Sequence, residues 1–135
     1  MESQVHINLV KIAYQYISEK IEEENRPLIE TDSSGNSSSF RVQGNYIPDV
    51  YYSLNGRMFI GEAKTELDFD RKHSKEQYDS YLEELDNYDG EGWLVISVPW
   101  QIVPTAKNYF KRKKNIKGIQ CKIIILNELG KEHIV

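Results

Sequence analysis

Cysteine occurs once in the 135 residues, at Cys121, which excludes a disulfide within the chain. No apolar run approaches the roughly 18–20 residues that a membrane-spanning helix needs. The opening Met1-Glu2-Ser3-Gln4 has neither the basic start nor the apolar stretch of a secretory signal. No internal repeat is visible. A chain of this length makes one domain with an adequate core, and the expected location is cytoplasmic, without a membrane partner. Cys121 falls in the apolar segment 119–126 and reads as a small buried hydrophobe without chemistry.

Positive charge is in deficit overall, with a net charge of −4, which argues mildly against a generic nucleic-acid binder. Its distribution says more. Acids crowd residues 19–24 and 83–91, whereas Lys107, Lys111, Arg112, Lys113, Lys114 and Lys117 crowd one short stretch. Lys107, Lys111 and Lys114 repeat at i, i+4 and i+7, so they line one side of a helix. Such a stripe can track phosphates, with an affinity that salt weakens through counterion release. It can equally be a solvated helix end whose cations complement the carboxyl-terminal dipole.

Hydrophobic periodicity predicts an α/β chain in the order α-β-β-β-α-β-α-β, a central mixed sheet flanked by helices. Val5, Leu9, Ile12, Tyr16 and Ile21 predict a helix over 3–24. A short strand follows at 28–31, then a polar loop over 32–39 that could close over a bound backbone. Strands are expected at 46–54 and 57–64. Ser74-Lys75-Glu76-Gln77 fits a capping box that opens a second helix. A buried strand at 93–99, a helix over 103–114 with Pro104 in its first turn, and a last strand at 119–126 complete the order.

Asn55-Gly56 between apolar alternating runs is the strongest local signal, because a two-residue type I′ hairpin turn needs positive φ at both central positions. Counting outward, Leu54 pairs with Arg57, Ser53 with Met58, and Asp49 comes to lie opposite Glu62. Directly opposed residues have Cβ atoms about 4.5–5.5 Å apart and share a face, and Lys64 shares it too because strand side chains alternate. Val50, Tyr52, Leu54 and Phe59 then occupy one face, and Tyr51, Met58 and Ile60 the other, which suits a strand pair covered on both sides. Two carboxylates that close repel each other unless a cation lies between them. Mg²⁺ suits the position, since it takes one or two carboxylates and leaves room for water and substrate phosphate. A lysine beside it can serve the attacking water or offset charge on phosphorus. The competing interpretation is a cross-strand salt cluster on a solvated face.

Pro48-Asp49, with Glu62-Ala63-Lys64 beginning thirteen positions after Asp49, and then a helix carrying Gln77, resembles the PD-(D/E)XK nuclease superfamily, which has the restriction-endonuclease-like fold. The resemblance covers about residues 45–85. Gln77 with Tyr81 also resembles the Gln-x-x-x-Tyr element of RecB-like nucleases. It implies that Asp49 and Glu62 hold Mg²⁺ or Mn²⁺, that Lys64 serves the attacking water, and that Gln77 supports the site from its helix. Many members carry a further acid on the first helix; Glu19 is the nearest candidate by spacing, ahead of Glu22, Glu23 and Glu2. Gln77 has a rival explanation as part of the capping box, and Tyr81 one as core.

His6, His73 and His133 lack metal-ligand spacing and read as ordinary polar residues, His73 being a remote candidate because it precedes Gln77. Trp100, after Pro99 at a strand end, reads as a rim residue of the core that could stack on an unpaired base. The expectation is a metal-dependent DNA endonuclease without a small-molecule cofactor. Cutting both strands with one site per chain calls for a homodimer, as in Holliday-junction resolvases of similar size. The alternative is a non-catalytic DNA-binding or protein-interaction module on the same fold. Acyl or glycosyl hydrolysis by two carboxylates is disfavoured by the adjacent strands and the neighbouring lysine.

Overall fold

Asn55 and Gly56 adopt φ values of 53° and 79°, the left-handed pair that a type I′ turn requires, and everything around the site is built outward from that turn. The structure is a computed structural model and describes residues 3–32, 40–42 and 46–135. The turn joins β2 (Val50–Leu54) to β3 (Arg57–Ala63), with Leu54 opposite Arg57 and Val50 opposite Gly61. This is the register that counting from the turn predicts. The remaining strands are β1 (Glu30–Thr31), β4 (Glu91–Ser97), β5 (Lys122–Leu126) and β6 (Glu132–Ile134). All six form one sheet in the order β1-β2-β3-β4-β5-β6. The pairs β3/β4 and β4/β5 are parallel, and the flanking pairs antiparallel. The sheet is therefore mixed, as expected, with an antiparallel edge strand, β6, that the sequence did not announce.

Helices cover both faces. On one side lies α1 (Gln4–Lys20), whose Ala13 and Ile17 pack with Val50, Tyr52, Phe59, Trp93, Val95 and Ile124. On the other lie α2 (Lys72–Asn87) and α3 (Val103–Lys117); Tyr78, Tyr81, Leu85, Ala106 and Phe110 pack there with Met58, Ile60, Leu94 and Ile96. The alternation of hairpin side chains between two cores is thus the one read from the sequence. α1 packs tightly over Gly61, since a Cβ there would stand 3.2 Å from Ile17 Cδ1, as well as 3.1 Å from the neighbouring Val50 Cβ.

Several boundaries differ from expectation for local reasons. The first helix stops at Lys20, not 24. Its final carbonyls are covered by two guanidinium groups, Arg26 Nε donating to Ser18 O at 2.8 Å and Arg57 to Lys20 O at 2.7 Å, which satisfies groups a helix end leaves open. A 3-10 turn, Glu23–Leu28, takes the place of the helix tail and of the start of the strand expected at 28–31. The buried stripe of α1 is Leu9, Ala13 and Ile17, while Val5 is exposed. Ser74 is no cap: α2 begins two residues earlier, after Arg71. The loop expected to close over a backbone lies, from residue 33 onward, outside the described residues. Among the described residues, no helix is long and apolar enough to cross a membrane.

Candidate active site

At the carboxyl end of β3 the hairpin runs out of backbone partners and side chains take over. The Asp49 carboxylate accepts the N–H of Ala63 at 2.9 Å, and the Glu62 carboxylate accepts the N–H of Asp49 at 3.3 Å. Each acid thus closes one rung of the ladder with the other's strand. Lys64 continues the sheet on the opposite side, its N–H donating to Ser97 O at 3.0 Å. Asp49, Glu62 and Lys64 are buried, at 7%, 4% and 8% exposure. A cross-strand salt cluster on a solvated face is therefore not what the chain builds.

Burial has an electrostatic consequence. Removal from water, and next the charge of Asp49, push the Glu62 carboxyl up to about 8, against the opposing pull of Lys64 and of hydrogen bonds from Tyr81 and the Asp49 backbone. One lysine does not balance two acids in so dry a place. The Lys64 ammonium stands 3.6 Å from Glu62 Oε2 and donates to Gln77 Oε1. Tyr81, one turn further along α2, donates its hydroxyl to Glu62 Oε1 at 3.1 Å. Burial and the neighbouring Glu62 charge hold the Tyr81 phenol well above its usual range, so it remains a donor. Both members of the Gln-x-x-x-Tyr pair reach the site, and the capping explanation for Gln77 gives way to a hydrogen bond with Lys64.

Two residues converge here that sequence reasoning passed over. His6 Nε2 lies 3.5 Å from Asp49 Oδ2. It stands there because the Ser3 hydroxyl caps α1 by accepting the His6 N–H at 3.1 Å, which fixes the first turn over the end of β3. Asp32 follows β1 and donates its N–H to Asp49 O at 3.0 Å; its charge is among those that raise Tyr81. The β1–β2 register, Thr31 opposite Val50, sets Asp32 opposite Asp49, but a strand of two residues leaves no periodic signal.

Glu19 is not brought to the site. It is exposed, accepts from Gln15 Nε2 at 3.0 Å, and lies thirteen residues along α1 from His6, about 20 Å at 1.5 Å per residue. The helix end that meets the carboxylates is the amino-terminal one; Glu2 lies outside the described residues. Nor does the lysine stripe run beside the site. Lys107, Lys111 and Lys114 follow α3 away from it, and Lys114 donates to Val135 O at 3.4 Å in a cleft shared with Trp93 and Lys122. Those two residues pair near the amino ends of β4 and β5, the end opposite Ser97 and Lys64. Cys121 is buried as expected, and burial pushes its thiol up to about 12. His73 packs edge-on to Tyr46.

An open groove of about 810 Å³ is lined by His6, which reaches Asp49, by Thr65, next in the chain to Lys64, and by Asp68, Arg71, Gln101 and Glu128. Among the described residues no three His, Cys, Asp or Glu side chains converge as a ready-made ligand set. Two hard carboxylates in mutual repulsion nevertheless fit a small divalent cation that completes its shell with water and phosphate. Asp49 and Glu62 are the residues able to hold it. No protein-family model, curated protein or solved structure matches the chain.

Proposed function

We propose that this chain is a divalent-metal-dependent DNA phosphodiesterase, an endonuclease of the PD-(D/E)XK type on a restriction-endonuclease-like sheet. The observation that carries the reading is the buried, interlocked pair Asp49 and Glu62, with the Lys64 ammonium beside Glu62 and fixed by Gln77. A fold gains nothing in stability from burying two acids side by side. Such an arrangement is characteristic of functional sites.

Asp49 and Glu62 would hold Mg²⁺ or Mn²⁺. When bound, the ion supplies Lewis-acid stabilisation of phosphate oxygens and activation of water. Each carboxylate is oriented by a backbone N–H, so its lone pairs are aimed before any ion arrives. Lys64 offsets the charge that develops on the phosphate or takes up a proton from the attacking water. Gln77 Oε1 fixes the Lys64 ammonium by accepting from it, which favours the charged form and so the first of these roles; the second requires the neutral amine. Tyr81 holds the orientation of Glu62. The expected homodimer follows from one site per chain and two strands to cut.

Incubation with plasmid, linear and branched DNA in Mg²⁺, in Mn²⁺ and in EDTA tests the reading. Divalent-dependent cleavage that Glu62→Gln abolishes is the expected result. Wild-type activity in that variant, with contaminating nuclease excluded, would overturn it.

A further inference from the structure

The outer face of α3 is made of residues that do nothing for the helix. Thr105, Asn108, Arg112 and Asn115 recur at i, i+3, i+7 and i+10, one row at 3.6 residues per turn, turned away from the buried Ala106, Tyr109 and Phe110. These four and Lys111 are exposed and line a shallow recess of about 660 Å³ that no acid borders. Among the described residues their side chains have neither a hydrogen bond nor an ion pair within the chain. On an exposed helix face, where packing does not decide, strong helix formers and alternating charges are the stabilising choice. This row has two asparagines and a threonine, all weaker formers. The helix contains no acid at all, so Lys107 and Lys111 repel each other across one turn. Complementing the carboxyl-terminal dipole accounts only for Lys114 and Lys117, the cations of the last turn.

The residue types say what such a face meets. An asparagine amide carries a donor and an acceptor side by side, which matches the edge of a base, whereas a phosphate offers acceptors only. Asparagine pairs at two points with adenine and arginine with guanine, both in the major groove of B-form DNA, which is wide enough to admit an α-helix. We propose that α3 lies in the major groove of duplex DNA, with Asn108, Arg112 and Asn115 on base edges and Lys107 and Lys111 on the adjoining phosphates. From Thr105 to Asn115 the helix rises about 15 Å, which spans about four base pairs. Charge favours this occupant. Of the α2 acids that border α3, Asp79 is paired with Lys113 at 2.8 Å and Asp86 accepts the N–H groups of Gln120 and Cys121, which leaves Glu83 against Lys107, Lys111 and Arg112. The helix follows β4, whose Ser97 carbonyl accepts the Lys64 N–H, so Thr105 marks the end of the row nearer the carboxylates. Recognition thus takes place beside the cleaving end and not over it. The inference rests on the nuclease reading above and names its substrate class, duplex DNA of a preferred sequence. Duplex RNA does not fit, because its major groove is too deep and narrow for side chains to read.

Selection from a pool of short random-sequence DNA duplexes tests this, with the full chain in EDTA so that nothing is cut. Several rounds of binding and amplification should enrich one motif about four base pairs long. Against the enriched duplex, Arg112→Ala and Asn108→Ala should each lose about 5- to 150-fold in affinity, the range for one two-point base contact. Their affinity for a scrambled duplex should hardly change. Lys111→Gln should instead weaken both duplexes alike and flatten their dependence on salt. All three positions are exposed, and urea midpoints check that the variants fold as wild type does. Failure to enrich any motif overturns the proposal, as does an enriched duplex that Arg112→Ala and Asn108→Ala bind as tightly as wild type. Binding to a polyglutamate peptide and not to duplex DNA, or tighter binding to duplex RNA, overturns it too. Cleavage in Mg²⁺ is read separately. Absence of cleavage on every DNA, with motif recognition intact, sinks the nuclease reading, whereas cleavage without recognition through α3 sinks only the present inference.

Discussion

The hydroxyl of Tyr81 donates to Glu62 Oε1 at 3.1 Å, which ties the middle of α2 to the last turn of the hairpin's buried face. Because the bond favours the ionised carboxylate, Tyr81→Phe should raise the pH at which Glu62 loses its proton. Metal binding by a protonated carboxyl must release that proton. The variant should therefore bind Mg²⁺ more weakly than wild type at neutral pH and approach it at higher pH. Calorimetric titration across pH 6 to 9 checks this, and identical pH profiles would show that the hydroxyl has no hold on Glu62.

Stability without metal should fall as pH rises. The folded Glu62 carboxyl titrates near 8 against an ordinary 4.5. Below about 4.5 both folded and unfolded chains hold the proton. Between the two values the unfolded chain releases it and the folded chain does not, so stability declines by up to about 1.4 kcal/mol per pH unit for this one group. Above about 8 the loss is complete. Glu62→Gln removes this dependence, so in EDTA the variant should gain on wild type between pH 5 and 8 and no further above that. Urea denaturation of both proteins at those two pH values measures the difference.

Gln77 positions rather than reacts. Gln77→Leu removes the acceptor of the Lys64 ammonium and should lower cleavage about 10- to 100-fold, the usual scale for a group that orients a site residue. Lys64→Met should abolish cleavage while Mg²⁺ binding persists. Single-turnover rates alongside calorimetry separate the two effects.

Of the three stripe lysines, Lys114 already has a partner in the Val135 carbonyl. If Lys107 and Lys111 meet phosphates, the triple Gln variant should lose about 1.8 from the slope of log affinity against log salt, roughly 0.9 for each of two contacts. Parallel slopes with equal affinity would locate the nucleic acid elsewhere.

Gly90 lies where a Cβ would come within 2.4 Å of the Gly56 carbonyl oxygen. That oxygen accepts the Glu91 N–H at 2.8 Å and so joins the hairpin turn to the start of β4. Gly90→Ala should cost about 1–3 kcal/mol through this clash, read as a lower urea midpoint.

What could be read in advance depended on the range of the interaction that fixes it. Asn55-Gly56 sets a register by local backbone chemistry, and from it the opposition of Asp49 and Glu62 and the division of Val50 and Tyr51 between faces follow by counting. Ser74 matches a capping pattern, yet it is buried within α2; tertiary packing overrides the local signal. Strand β6 has three residues and no alternation to detect. The approach of His6 to Asp49 is wholly tertiary, arising from how α1 crosses Gly61, and no spacing along the chain encodes it. Spacing alone points to Glu19, and spacing carries no information on which helix end faces the sheet.

Strand order copies chain order throughout the sheet, and this bears on how the protein comes into being. Each strand, as it emerges, finds its neighbour already made, although the parallel pairs β3/β4 and β4/β5 must each close over a whole intervening helix, the slower kind of pairing. Asp49 and Glu62 are thirteen residues apart and meet when the hairpin does, before α2 brings Gln77 and Tyr81. The first helix is the exception: synthesised first, it docks on strands made later, and its Tyr16 hydroxyl pairs with Glu132, 116 residues downstream. The acidic pair is thus open to water during synthesis and closed over by the completed chain.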